Sequence, residues 1–141
     1  MASRHLSLRI DEATFEKLER ESRRTGRTRS EIAKTLLEEG LRMEAHPGIV
    51  FRPGPTGRRA ALADGPDVWV IARVLRDAPK YGETDPEVIA ELANVNVFQL
   101  QRVARYYAEY RDEIDAWIHR VDDEAERAEA AWLRERDLLA G

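Results

Sequence analysis

The sequence predicts a mainly helical protein. An amino-terminal strand and two helices are completed only by a second copy, and a small α+β domain with a β-hairpin, a helix-turn-helix and a long carboxyl-terminal helix follows. Three features carry this expectation. Residues 4–10 alternate strictly between polar and apolar side chains, as a strand with one buried face does. Two helix-start signals come soon after, Asp11 ahead of Glu12 and Thr28 ahead of Glu31. Pro47-Gly48 and Pro53-Gly54-Pro55-Thr56-Gly57 then bracket an apolar run, which is a hairpin signal.

Within the strand, Leu6, Leu8 and Ile10 point one way and His5, Ser7 and Arg9 the other. A single short strand leaves its backbone donors and acceptors unpaired, and even a two-stranded ribbon needs helices packed on it. Antiparallel pairing with the same strand of a second copy is the economical solution. It places His5, Ser7 and Arg9 of both chains on one face of a ribbon whose size suits the DNA major groove, where Arg reads guanine and Ser meets several bases. The alternative for this face is plain solvent exposure on a dimer ribbon. The first helix spans 12–25, with Ile10 and Phe15 at staple spacing, Phe15, Leu18 and Ser22 inward, and Gly26 as a left-handed terminator. Thr28-Arg29-Ser30-Glu31 forms a capping box for a second helix with Ile32, Ala33, Leu36, Leu37 and Leu41 on its apolar face. The open amides of that helix start, Thr28 and Ser30 among them, make an anion site. Arg4, Arg23, Arg24, Arg27 and Arg29 surround it, either as phosphate contacts or as a solvated helix end.

Strand, helix, Gly turn and helix in about 40 residues resemble the ribbon-helix-helix family of bacterial DNA-binding proteins, of the Arc, MetJ and CopG type. The resemblance covers roughly residues 4–44. It implies that His5, Ser7 and Arg9 read bases and that Thr28 and Arg29 hold phosphates.

Downstream, 49–51 and 58–62 are the strands of the hairpin, and Asp67 caps a helix with Val68, Ile71, Ala72 and Leu75. Residues 78–83 read as loop. Asp85-Pro86 opens a helix with Val88, Ile89 and Leu92, ending near Asn94, a residue that tolerates left-handed geometry. Asn96 with Gln99 is a further capping box, so 85–110 is a helix-turn-helix with Asn94 where such motifs usually carry Gly. Its outer face offers Asn96, Val97, Phe98, Gln101, Arg102 and Arg105 to DNA or to a protein, and Arg58 and Arg59 are either a DNA-touching wing or a charged turn. Leu100, Val103, Tyr107, Tyr110, Ile114, Trp117 and Val121 form a seam along one long helix, as a core stripe or as a two-stranded coiled coil. Asp122-Asp123-Glu124 restarts a helix in an acidic tail, where Trp132, Leu133 and Leu139, with Trp117 upstream, are candidates for docking another protein. The domains expected are 1–45, 46–121 and 122–141.

His46-Pro47-Gly48-Ile49, Thr56-Gly57-Arg58-Arg59 and Tyr106-Tyr107-Ala108-Glu109-Tyr110 with Glu113-Ile114-Asp115 resemble small winged-helix-like domains of bacterial antitoxins. That resemblance covers about 46–118 and implies a type II toxin–antitoxin setting, most often with a PIN-type ribonuclease as toxin.

Composition narrows the classes. The 141 residues include no cysteine, which excludes thiol chemistry and Cys-based metal sites. His5, His46 and His119 have neither metal-ligand spacing nor a paired nucleophile, and the glycines sit in turns without a phosphate loop, so neither enzyme activity nor a cofactor is expected. With no apolar run of membrane length and no leader pattern, a cytoplasmic location is expected. The net charge of −4 divides unevenly: residues 1–62 carry 13 Lys and Arg against 9 acids, residues 63–141 carry 10 against 18. Two partners of opposite charge, or an acidic surface serving solubility, account for that split. The expectation is a homodimeric transcriptional repressor that binds operator DNA and acts as an antitoxin. The alternative is a stand-alone regulator whose carboxyl-terminal domain oligomerises or senses a ligand.

Overall fold

A computed structural model describes residues 2–141. The chain is mainly helical with one two-stranded antiparallel sheet, and it divides into two compact units, Met1–Arg42 and Met43–Gly141.

The first unit holds α1 (Glu12–Thr25) and most of α2 (Arg29–Ala45). Asp11 caps α1 by accepting from the Thr14 amide at 2.7 Å, and hydrogen bonding from the Thr14 side chain first, then from its amide, holds its carboxyl below the usual range. Gly26, at φ 72, closes α1 by donating its amide to Ser22 O. Thr28 Oγ1 accepts from the Glu31 amide at 3.1 Å. The reciprocal half of the expected capping box is replaced, because the Glu31 carboxylate lies 3.8 Å from Arg27 Nε. Residues 2–10 form no strand within the single chain. Ile32 is the one buried apolar side chain among the described residues of this unit; Leu6, Leu8, Phe15, Leu36, Leu37 and Leu41 are exposed.

The second unit owns the hydrophobic core. β1 (Ile49–Arg52) pairs with β2 (Arg59–Leu62) in the register Ile49 with Leu62 and Arg52 with Arg59. Then come α3 (Val68–Asp77), α4 (Pro86–Leu92), α5 (Val97–Glu109) and α6 (Arg111–Ala140). Leu62, Val68, Ile71, Val103, Tyr106 and Ile118 are its largest fully buried side chains, so sheet, α3, α5 and α6 share one interior. Asn94 takes the left-handed conformation at φ 57, and the Asn96–Gln99 box is complete, with the Gln99 amide donating to Asn96 Oδ1 at 2.8 Å and the Asn96 amide to Gln99 Oε1 at 2.9 Å.

Several expectations are corrected here. Residues 78–81 form a 3-10 turn closed by left-handed Gly82, where a loop was expected. Leu92 is exposed; Ile89, Ala90 and Ala93 carry the inner face of the first helix of the pair. The seam helix is broken at Tyr110 (φ −117, ψ 36), whose ring is packed 4.7 Å from Tyr106 and 6.0 Å from His46. Beyond this break Ile114 is buried as the seam predicts, but Ile118 takes the next inward place, leaving Trp117 half-buried. Instead of restarting at the acidic run, α6 continues unbroken for 30 residues, and Asp122 pairs with Arg73 of α3. No helix among the described residues is long and apolar enough to cross a membrane.

Burial along α6 sets a stability contrast. Ile118→Ala should cost about 2–5 kcal/mol in urea unfolding, whereas Leu138→Ala, far along the exposed end, should stay within about 0.5 kcal/mol.

Candidate nucleic-acid interface

In the segment 4–10, His5 Nε2 lies 3.0 Å from Ser7 Oγ. The two polar groups therefore sit on one side, as the alternation predicts. Leu8 keeps 69% of its surface exposed and Leu6 66%.

The arginines cluster where α1 ends and α2 begins. Residues 20–29 hold five arginines against one acid, Glu21. Three of the five have internal partners. Arg24 is paired with Glu21 at 2.6 Å, which raises its already high pKa. Arg27 donates to Thr35 Oγ1 at 3.0 Å, and Arg29 pairs with Glu19 at 3.1 Å while its guanidinium lies 5.0 Å over the Phe15 ring. All three pairs are solvent-exposed. Such pairs contribute about 0–1 kcal/mol each, so an arriving phosphate exchanges with them at little cost. Arg23 is in the last turn of α1, and Arg4, Arg9 and Ser30 are exposed. The turn itself is fixed by side chains: Ser22 Oγ donates to Arg27 O at 2.6 Å and Thr25 Oγ1 to Glu21 O at 2.7 Å.

The second set of candidates is dispersed. Arg59 is engaged in structure, donating from Nε to Asp67 Oδ2 at 2.5 Å and from its terminal nitrogen to Pro53 O at 3.0 Å. Asp67 consequently makes no side-chain cap on α3, contrary to expectation. Arg58, on the hairpin loop, is exposed. Asn96 is consumed by its capping box. Arg102 packs over Gly48 and reaches to 3.8 Å from Asp64. Of that face, Phe98 (72% exposed), Gln101 and Arg105 remain exposed and outside these contacts.

The tail candidates separate as well. Trp117 is half-buried beneath Arg120, while Trp132 is 56% and Leu139 89% exposed, with Leu133 between them in sequence. Leu138, at 83%, belongs with them and is absent from the sequence-based set.

Two arrangements escaped sequence reasoning. His46, buried, meets Glu109 Oε2 at 2.5 Å and packs edge-on to Tyr106 at 5.1 Å. Its partner is 63 positions away, and an isolated histidine gives no signal of that pairing. Tyr107 donates its hydroxyl to Asp115 at 2.5 Å across the Tyr110 break; burial first, then this bond, pushes its pKa up to about 12. His119 is exposed on α6, and among the described residues no group of three or more His, Cys, Asp or Glu could hold a metal ion.

Because the neutral phenol is favoured in the fold, the Tyr107 contribution to stability is complete below the ordinary tyrosine range. It is lost as pH rises from about 10 to about 12. Ultraviolet titration of wild type minus Tyr107→Phe should show a step centred near pH 12 instead of 10.

Compared with models of known protein families, with curated proteins and with solved structures, the chain shows no significant match.

Proposed function

We propose that the protein is a homodimeric DNA-binding repressor whose residues 4–10 pair between two copies and enter the major groove. One observation carries this reading. The first unit has two well-capped helices but a single buried apolar side chain, with Leu6, Leu8, Leu36, Leu37 and Leu41 exposed. About 40 residues with so little interior are stable only when another surface covers them. The same segment in a second copy supplies both the missing strand partner and the apolar cover. Paired in this way, His5, Ser7 and Arg9 face outward to choose bases, while Thr28, Ser30, Arg29 and the exposed arginines around the α1–α2 turn contact phosphates.

The role within which repression operates is that of an antitoxin, with a basic toxin, a PIN-type ribonuclease by resemblance, held by the acidic end of α6. Residues 122–141 carry seven acids against three arginines, and Trp132, Leu138 and Leu139 are exposed among them. The chemistry required is positional and involves no bond making, and a cytoplasmic setting goes with it.

Three measurements test the reading. Sedimentation of the full chain should give a dimer, and Leu8→Lys should give monomers; a wild-type monomer that binds operator would refute the proposal. Arg9→Ala should weaken cognate DNA relative to random DNA by about 1–3 kcal/mol, and equal losses on both would remove its reading role. Truncation after Asp123, which keeps the Arg73–Asp122 pair, should preserve operator binding and abolish neutralisation of the adjacent toxin.

A further inference from the structure

The last helix, α6, outlasts the core it packs on. Ile114 and Ile118 are its buried residues, and the turns beyond them, to Ala140, carry none. The apolar stripe nevertheless continues. Ile118, Val121, Ala125, Ala128, Trp132 and Leu139 keep alternating steps of three and four, with Glu135 in the one polar place. Val121 is half-buried, and Ala125, Ala128, Trp132 and Leu139 are exposed. Most helical stability comes from burying such a face, so a helix end without cover is marginal in water.

Size and charge along the stripe select the cover. Its small residues, Ala125 and Ala128, are in the nearer half and its large ones, Trp132 and Leu139, in the farther half. Residues 122–129 hold five acids and one arginine, a net of −4, whereas 131–138 hold two of each, a net of zero. A parallel copy would set ring on ring, methyl on methyl and −4 on −4. An antiparallel copy centred on residue 130 sets Trp132 on Ala128 and Leu139 on Val121, with the acidic half against the neutral one. It also brings Arg136 beside Asp122 of the second copy, at the flanking positions where paired helices match charges. Glu135 then faces Ala125, and one like-charge approach remains, Glu129 with its own counterpart at the axis.

We infer that the α6 ends of two copies pair antiparallel along this stripe. The inference rests on the dimer proposed above, because so short a seam is weak alone and pairing through residues 4–10 raises its effective concentration. It adds regulation to the antitoxin role, since the paired ends cover Trp132 and Leu139 until a basic toxin takes the same face.

The chain has no cysteine, so a single one introduced into the full-length protein reports the pairing through a short bis-maleimide. Positions 131 and 138 lie on the same side of the seam, one heptad apart. Ala131→Cys should cross-link to its counterpart and Leu138→Cys should not. Adding Trp132→Asp should abolish the Ala131→Cys product while sedimentation still gives a dimer, and adding Glu129→Gln should increase it. Cross-links at both positions, at neither in a chain that sediments as a dimer, or a product unchanged by Trp132→Asp would overturn the pairing and leave the DNA-binding reading standing. A wild-type monomer would overturn both.

Discussion

An apolar surface without an interior is the constraint on which the amino-terminal unit depends. Its helices are locally well specified, by Asp11 at one start, Gly26 at the turn and Thr28 at the next start. Caps decide where helices begin and end; each contributes about 1 kcal/mol and none buries hydrocarbon. Leu36, Leu37 and Leu41 on one helix, with Leu6 and Leu8 before it, remain in water. Covering five such side chains would add about 1.5–3 kcal/mol for each one fully buried. That is of the order of a small domain's whole stability. In the proposed dimer, the unit acquires its fold and its oligomeric state in the same step, which suits the reading of a two-fold symmetric site.

The second unit solves the same problem alone. Tyr106, Val103 and Ile118 close a core to which hairpin, α3, α5 and α6 all contribute. Polar side chains then fix the loops around it. Arg59 ties the hairpin to Asp67, and Arg52 donates to Leu62 O at 3.0 Å, so two of the basic residues around the hairpin are structural. Part of the recognition surface is drawn into structure: with Asn96 in a cap and Arg102 over Gly48, the helix-turn-helix presents Phe98, Gln101 and Arg105 outside those contacts.

Local signals were legible in the sequence and distant ones were not. The first helix, the Asn94 turn and the Asn96–Gln99 box follow from residues within four positions of each other, and each is found where the pattern puts it. The alternation at 4–10 predicts a strand, and the single chain forms none there, although His5 and Ser7 lie 3.0 Å apart. The break at Tyr110 was hidden, because Tyr110 fits the seam spacing and only its packing against the ring of distant His46 marks the place. Arg59 read as a free charge for the same reason: Asp67, its partner, was already explained as a helix cap. Residues with two possible local roles are where one-dimensional reasoning fails, since the third dimension chooses between them.

The overall charge of −4 does not oppose the proposed DNA contact. At physiological ionic strength a charge is screened beyond about 8 Å, so a phosphate near the α1–α2 turn responds to the arginines of residues 20–29 and their immediate acids. Those acids, Glu19, Glu21 and Glu31, hold Arg29, Arg24 and Arg27 through exposed pairs. In the proposed complex, each phosphate would replace a carboxylate as well as release a counterion. The acids therefore lower the affinity for any duplex and leave the base-facing residues untouched. That is the combination a repressor needs when nonspecific sites vastly outnumber its operator, because discrimination rises as the sequence-independent contribution falls.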